Sequence, residues 1–137
     1  MDPRQIALVQ DSFVHVLPIP DRTAAHFYAR LFTLAPDTKA LFKNDMVEQG
    51  RKLVLTLTTI VDGLDRLADL LPIARELARR HVRYGVVDRH YAIVGTALMD
   101  TLRELLGPAF DAPTQAAWGA AYATLSTAMM DAVREDA

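Results

Sequence analysis

The chain has 137 residues, enough for about one domain, and its 51% hydrophobic and 23% charged residues with a formal net charge of −2 describe a folded globular protein rather than a general nucleic-acid binder. It has no cysteine, which excludes disulfide scaffolds, thiolate metal sites, iron–sulfur clusters and cysteine nucleophiles, so a metal has to be held by histidine or carboxylate. The uncharged apolar run Leu53 to Val61 between Lys52 and Asp62 is far short of a membrane span, and an N-terminus carrying Asp2, Arg4 and Asp11 is no signal peptide, so a cytoplasmic location with no membrane partner is expected.

Turn signals separate segments of 3.6-residue periodicity, with no run of period-two alternation and no solenoid repeat, which predicts an all-α chain folded as one unit over 1–137. The first helix opens at Asp2-Pro3 and turns Ile6, Val9, Phe13 and Val16 inward until Pro18 and Pro20 stop it. Asp21 caps the second, with Ala24, Phe27, Tyr28, Leu31 and Phe32 inward, Arg22, His26 and Arg30 outward, and an end before Pro36. After a turn over Asp37 to Phe42, Asp45 and Glu48 form a capping box for a third helix with the stripe Met46, Gln49, Leu53, Leu57, Ile60 and Leu64. Asp69 caps a fourth, with Pro72 in its first turn, Gly85 at its end, and Leu70, Ile73, Leu77, His81 and Tyr84 inward. Asp88 caps a fifth, whose inward residues are Tyr91, Val94, Leu98, Leu102 and Leu105 and whose left-handed stop is Gly107. Asp111 and Pro113 open the last, which faces inward with Trp118, Tyr122, Leu125, Met129 and Ala132 and frays from Arg134 to Ala137.

Phase sorts the four histidines. His15 and His26 fall off the apolar stripes and should be solvated, while His90 fits a partly exposed capping position. Only His81 replaces an apolar residue within a stripe, with Arg75, Arg79, Arg80 and Arg83 on the other face. Its imidazole is either a core histidine donating to a carbonyl or a metal ligand. Three or four side-chain ligands for zinc or non-haem iron are not supplied nearby, whereas haem needs one imidazole because the porphyrin brings four nitrogens. Gln49 and Tyr28 are polar members of two other stripes. Each is either a buried group satisfied by backbone or water, or a donor aimed at a ligand.

The segments Phe27-Tyr28, Ala40-Leu41-Phe42, Glu48-Gln49, Arg80-His81-Val82, Gly85-Val86, His90-Tyr91-Ala92-Ile93-Val94-Gly95 and Ala117-Trp118-Gly119 occur in an order and spacing that resembles bacterial single-domain haemoglobins and the globin domain of flavohaemoglobins. The resemblance spans nearly the whole chain and is most specific from His81 through the His90-to-Gly95 run. It implies a globin fold around one haem b (iron protoporphyrin IX) with His81 as the proximal iron ligand. It implies Tyr28 and Gln49 as distal donors, Phe42 against the haem face, Leu53 as the distal wall, Tyr91 as hydrogen-bond neighbour of His81, and Val94 as a haem contact. Lys52 and Arg80, near the inferred pocket, are expected to approach the propionates. The pattern departs at one place: where flavohaemoglobins carry a glutamate on the last helix, this chain has Val133, with Glu135 two residues off. Without that carboxylate the imidazole gains less anionic character, and oxygen-activating chemistry is less expected.

The resemblance implies reversible binding of dioxygen, NO and CO at a pentacoordinate iron, since no histidine lies between His26 and His81. Nitric oxide dioxygenase is the alternative. It uses the same residues but consumes an electron each turnover, and with no Gly-rich nucleotide fingerprint here a flavin reductase would act in trans. A gas sensor and a haem-free helical interaction module are further readings, and both a monomer and a homodimer are open. The arginines at 75, 79, 80, 83 and 89 are read as a solvated face, with docking of an acidic reductase as the alternative.

Overall fold

The computed structural model describes residues 1–43 and 45–136. Among these residues six α-helices run in the order α1 (Pro3–Phe13), α2 (Pro20–Leu34), α3 (Met46–Asp62), α4 (Leu67–Arg83), α5 (Asp88–Leu106) and α6 (Ala112–Asp136), with a 3₁₀ turn at Pro36–Leu41 and a shorter one at Gly107–Ala109. No strand occurs among the described residues.

Several boundaries differ from expectation because backbone groups find other partners. α1 starts as expected, with Asp2 and Gln5 bonding reciprocally to each other's backbone N–H groups, but it ends at Phe13, before either proline. Val16 is nonetheless buried beyond the helix. α2 begins at Pro20, whose missing N–H suits the first helical position, so Asp21 is in the first turn instead of the cap. Asp45 caps α3 through the Val47 N–H (2.9 Å) without the Glu48 half of a capping box. α4 begins at Leu67, which moves Asp69 into its first turn and Pro72 into the helix interior. α5 begins at Asp88 with Val87 as its cap, and the cap's N–H donates to Nδ1 of His90 (2.9 Å). His90 therefore has the capping role, yet it is buried rather than partly exposed. His26 is half-buried instead of solvated, while His15 is exposed as expected. α6 stays helical through Asp136 with no fraying from Arg134 onward, and Ala137 is outside the described residues.

α2 lies on α3 and α5, while α6 backs both α1 and α4. The main core joins Phe13, Phe27, Leu31, Leu102 and Trp118, and the Trp118 Nε1–H donates to Ser12 Oγ (2.8 Å). A second cluster of Ala74, Ala78, Tyr91, Met129 and Ala132 sits where α4 meets α6, and Leu77 and Leu125 pack against both clusters. The inner face of α4 is therefore built on Leu70, Ala74 and Ala78, whereas Ile73 and Tyr84, expected inward, are exposed. Alanines allow the two helix axes to come close, which turns the larger neighbours aside.

The α2–α3 crossing is tighter still: a Cβ added at Gly50 would stand 2.6 Å from that of Ala24. Gly119 on α6 has open space around it. Gly50→Val should therefore destabilise the protein by about 1–3 kcal/mol of overpacking, since the propensity gain over glycine is only about 0.5 kcal/mol. Gly119→Ala should stabilise it by about 0.5–1 kcal/mol. Urea unfolding of both variants checks the pair, and equal effects would contradict the crossing geometry.

Candidate functional site

Consecutive helices α3 and α4 share no extended contact; α3 rests on α2 and α4 on α6. Along the open sides, Gln49, Leu53 and Leu57 follow one another at i, i+4 spacing on α3, as do Leu77 and His81 on α4, and all five are only half-buried. Phe42, just past the 3₁₀ turn, and Val94 on α5 are half-buried as well. Apolar side chains left half-exposed in a row, next to a core whose members are nearly all below a tenth exposed, mark the open sides of α3 and α4 as an apolar candidate site.

His81 lies in the last turn of α4, one helical step beyond the closely packed Ala78. The helix stops immediately after it. Gly85 adopts φ +93°, its N–H donates to the Val82 carbonyl (3.0 Å), and the Val86 N–H donates to the His81 carbonyl (2.9 Å), the paired bonds of a glycine C-cap. Nδ1 of His81 is 2.6 Å from the Leu77 carbonyl one turn back, so the proton sits on Nδ1 and the lone pair on Nε2. Burial pushes the imidazole below its ordinary pKa, opposed by that hydrogen bond, which keeps the ring neutral and able to ligate a metal. The hydrogen-bond partner of Nδ1 is thus this carbonyl. Tyr91 packs in the second cluster, and Val133 is half-buried against the same cluster.

Tyr28 is buried within an aromatic group, its ring 5.1 Å from Phe27, 6.0 Å from Phe32 and 5.2 Å from Phe42. Burial raises the phenol's pKa, and a hydrogen bond with Gln49 lowers it. Gln49 thus stands beside the phenol, and each of the two side chains carries a group able to donate a hydrogen bond. The tight crossing at Ala24 and Gly50 is what brings these two side chains together. Lys52 and Arg80 are exposed, with Lys52 3.8 Å from Glu48 and Arg80 3.4 Å from Glu76 on their own helices.

Sequence phase missed three features. Tyr122 lies across Gly95, where a Cβ would meet its ring at 2.8 Å, and its hydroxyl donates to the Tyr91 carbonyl (2.5 Å). A cleft of about 540 Å³ opens between α5 and α6, floored by Gly95, Met99 and Gly119, and neither Tyr28, Gln49 nor His81 borders it. Finally, Arg89 Nη2 donates to Asp37 Oδ2 (2.6 Å) and ties the 3₁₀ turn to α5. No sequence signal pairs residues so far apart. The glycine at position 95 was the readable hint for the first.

Sequence comparison matches the globin family over residues 25–129. The chain belongs to the globin family. Haem-based binding of small gases is the function that this membership supports. The globin chain is 36% identical over 109 residues to a flavohemoprotein of Vibrio cholerae and 35% identical over 104 residues to one of Bordetella parapertussis, covering 77% and 74% of its own length. It spans only 28% and 26% of those relatives. A bacterial globin structure from Campylobacter jejuni superposes with a TM-score of 0.85 at 25% identity, covering 98% of this chain and 97% of that one. The all-α globin fold expected from the sequence is therefore established. Among the described residues no helix is long and apolar enough to cross a membrane.

Burial gives the site an alkaline limit. The phenols of Tyr28, Tyr91 and Tyr122 all have raised pKa values, mainly through desolvation. The folded chain keeps these protons, whereas the unfolded chain releases them near the ordinary value of about 10. Their contribution is complete below pH ~10 and is lost as pH rises toward the folded values. Unfolding free energy should fall above pH ~10, and Tyr28→Phe should reduce the slope by up to about 1.4 kcal/mol per pH unit. Urea titrations between about pH 8 and 12 measure this, and an identical slope in the variant would contradict it.

Proposed function

We propose that this globin binds one haem b in the crevice between α3 and α4 and thereby takes up dioxygen and other diatomic gases, NO and CO, reversibly. The observation that carries the reading is His81: a neutral imidazole with Nδ1 committed to the Leu77 carbonyl and Nε2 left with its lone pair. That is the donor a haem iron requires of a protein. Phe42, Leu53 and Val94 supply the apolar walls, with Tyr91 behind them in the second cluster. Lys52 and Arg80, whose exposed pairs on their own helices hold them weakly, meet the propionates. When bound, haem supplies an iron position at which a small gas can be held.

The remaining work is done by the chain. Tyr28 offers a phenolic O–H to the ligand, and Gln49, its neighbour across the α2–α3 crossing, offers an amide N–H beside it. The aromatic group around Tyr28 excludes water, so the donor needs no reorganisation when the gas arrives. Nitric oxide dioxygenation on the same residues is a second reading, favoured by the similarity to proteins named flavohemoprotein. It consumes one electron each turnover, and a flavin reductase is the donor class it calls for. Nitrate formed from NO under oxygen, in proportion to reductant consumed, would distinguish it from simple binding. Residues 1–137 as one globin domain, working in the cytoplasm, complete this reading.

His81→Ala should abolish stable haem uptake, followed as loss of the Soret band on gel filtration of the haem-treated protein. Full stoichiometric uptake by the variant would overturn the assignment of the iron ligand. Among the distal pair, Tyr28 is buried and rotationally fixed, while Gln49 is half-buried and loses more side-chain entropy to form a bond. A hydrogen bond to a partly charged acceptor is worth roughly 1.5–3 kcal/mol, or about one to two decades in release rate. Tyr28→Phe should therefore speed dioxygen release more than Gln49→Leu, with CO responding less to either. Stopped-flow release rates decide the order.

A further inference from the structure

His90 is 5% exposed, and its Nδ1 accepts the Val87 N–H at 2.9 Å. A ring nitrogen that accepts carries no proton, so in the neutral ring the proton is on Nε2. That Nε2–H is buried without a hydrogen-bond partner. Its neighbour is Oδ2 of Asp37, 3.8 Å away and too far for a hydrogen bond. The same oxygen accepts from Arg89 Nη2 at 2.6 Å, and that guanidinium holds the Asp37 carboxyl below its usual range, so the acceptor is ionised. Buried donors without partners are rare in folded proteins, and here one ångström of closure between two segments would satisfy it.

Each of the two segments carries a residue of the proposed haem site. Asp37 belongs to the 3₁₀ turn that leads into Phe42, and His90 opens α5 one residue before Tyr91 and one turn before Val94. The His90 imidazole is also fixed in orientation, because rotating it would forfeit the cap on α5. Arg89 already draws the Asp37 carboxylate toward this end of α5, so the closing movement is one of approach rather than of search.

We propose that Asp37 is a positioning residue for the crevice: its carboxylate accepts the His90 Nε2–H when the pocket is filled and latches the turn bearing Phe42 to the start of α5. This rests on the haem-binding reading. The latch sets how long the occupant is retained, and not how the gas is held, because neither residue reaches the Tyr28 and Gln49 side.

The test uses the haem-loaded protein. Proton NMR should show the His90 Nε2–H protected from exchange and shifted downfield as a charge-assisted hydrogen bond, with the signal lost in Asp37→Ala. Transfer of haem to excess apomyoglobin should be about tenfold faster in Asp37→Ala, since a bond to a charged acceptor is lost. Asp37→Asn, which keeps an acceptor without its charge and is expected to fold normally, should fall between. Asp100→Ala breaks another interhelical surface pair, Arg30 Nε to Asp100 Oδ2 at 2.7 Å, and should leave haem transfer unchanged. An unaltered rate in Asp37→Ala, an equal acceleration in Asp100→Ala, or a freely exchanging His90 Nε2–H would each overturn the latch. A wild-type protein with no Soret band after haem addition overturns the haem reading and the latch with it, whereas a normal Soret band with unchanged transfer overturns the latch alone.

Discussion

Two helices that follow one another in sequence usually bury their apolar faces against each other, and in this protein α3 and α4 do not. Each is claimed by a different neighbour through residues with almost no side chain. Gly50 meets Ala24 on α2, and Ala74 and Ala78 meet α6. Close approach at these points fixes each helix against another neighbour, and the larger side chains on their open sides, Leu53, Leu57, Leu77 and His81, stay half-buried.

The same division explains why a histidine can serve both of the roles that the sequence leaves open. A core histidine donating to a carbonyl and a ligand with a free lone pair are not competing states of His81: the Leu77 carbonyl takes the Nδ1 proton, and that choice is what frees Nε2.

Periodicity made the helices and most of their inner faces readable, because large apolar residues at 3.6-residue spacing leave little choice of orientation. It failed where small residues set the packing. On α4 the stripe through Ile73 and Tyr84 looked more hydrophobic than Ala74 and Ala78, but the alanines win because they let α6 approach. Helix starts were misread for a related reason: aspartates at 21, 69 and 88 occupy first turns, where the helix dipole favours them as well as a cap would. His81, Tyr28 and Gln49 were visible as polar breaks in apolar stripes. His90 was not, since its burial depends on a turn far away in sequence and its proton on the local cap of α5.

Pro72 divides α4 into unequal parts. Lacking an N–H, it leaves the Ala68 carbonyl without its donor four residues on, and around it Leu67, Leu71 and Ile73 stand more than a third exposed. Beyond it, Ala74 and Ala78 are sealed against α6 and the helix ends on the fixed Gly85 cap. Local opening free energies follow contact density, so the first turns of α4, where Leu70 is the buried anchor, open more readily than the segment packed through Ala74 and Ala78. The helix is thus two cooperative units in one rod: a labile leading end that can absorb strain from the neighbouring turn, and a trailing end whose amide protons should outlast it in hydrogen exchange.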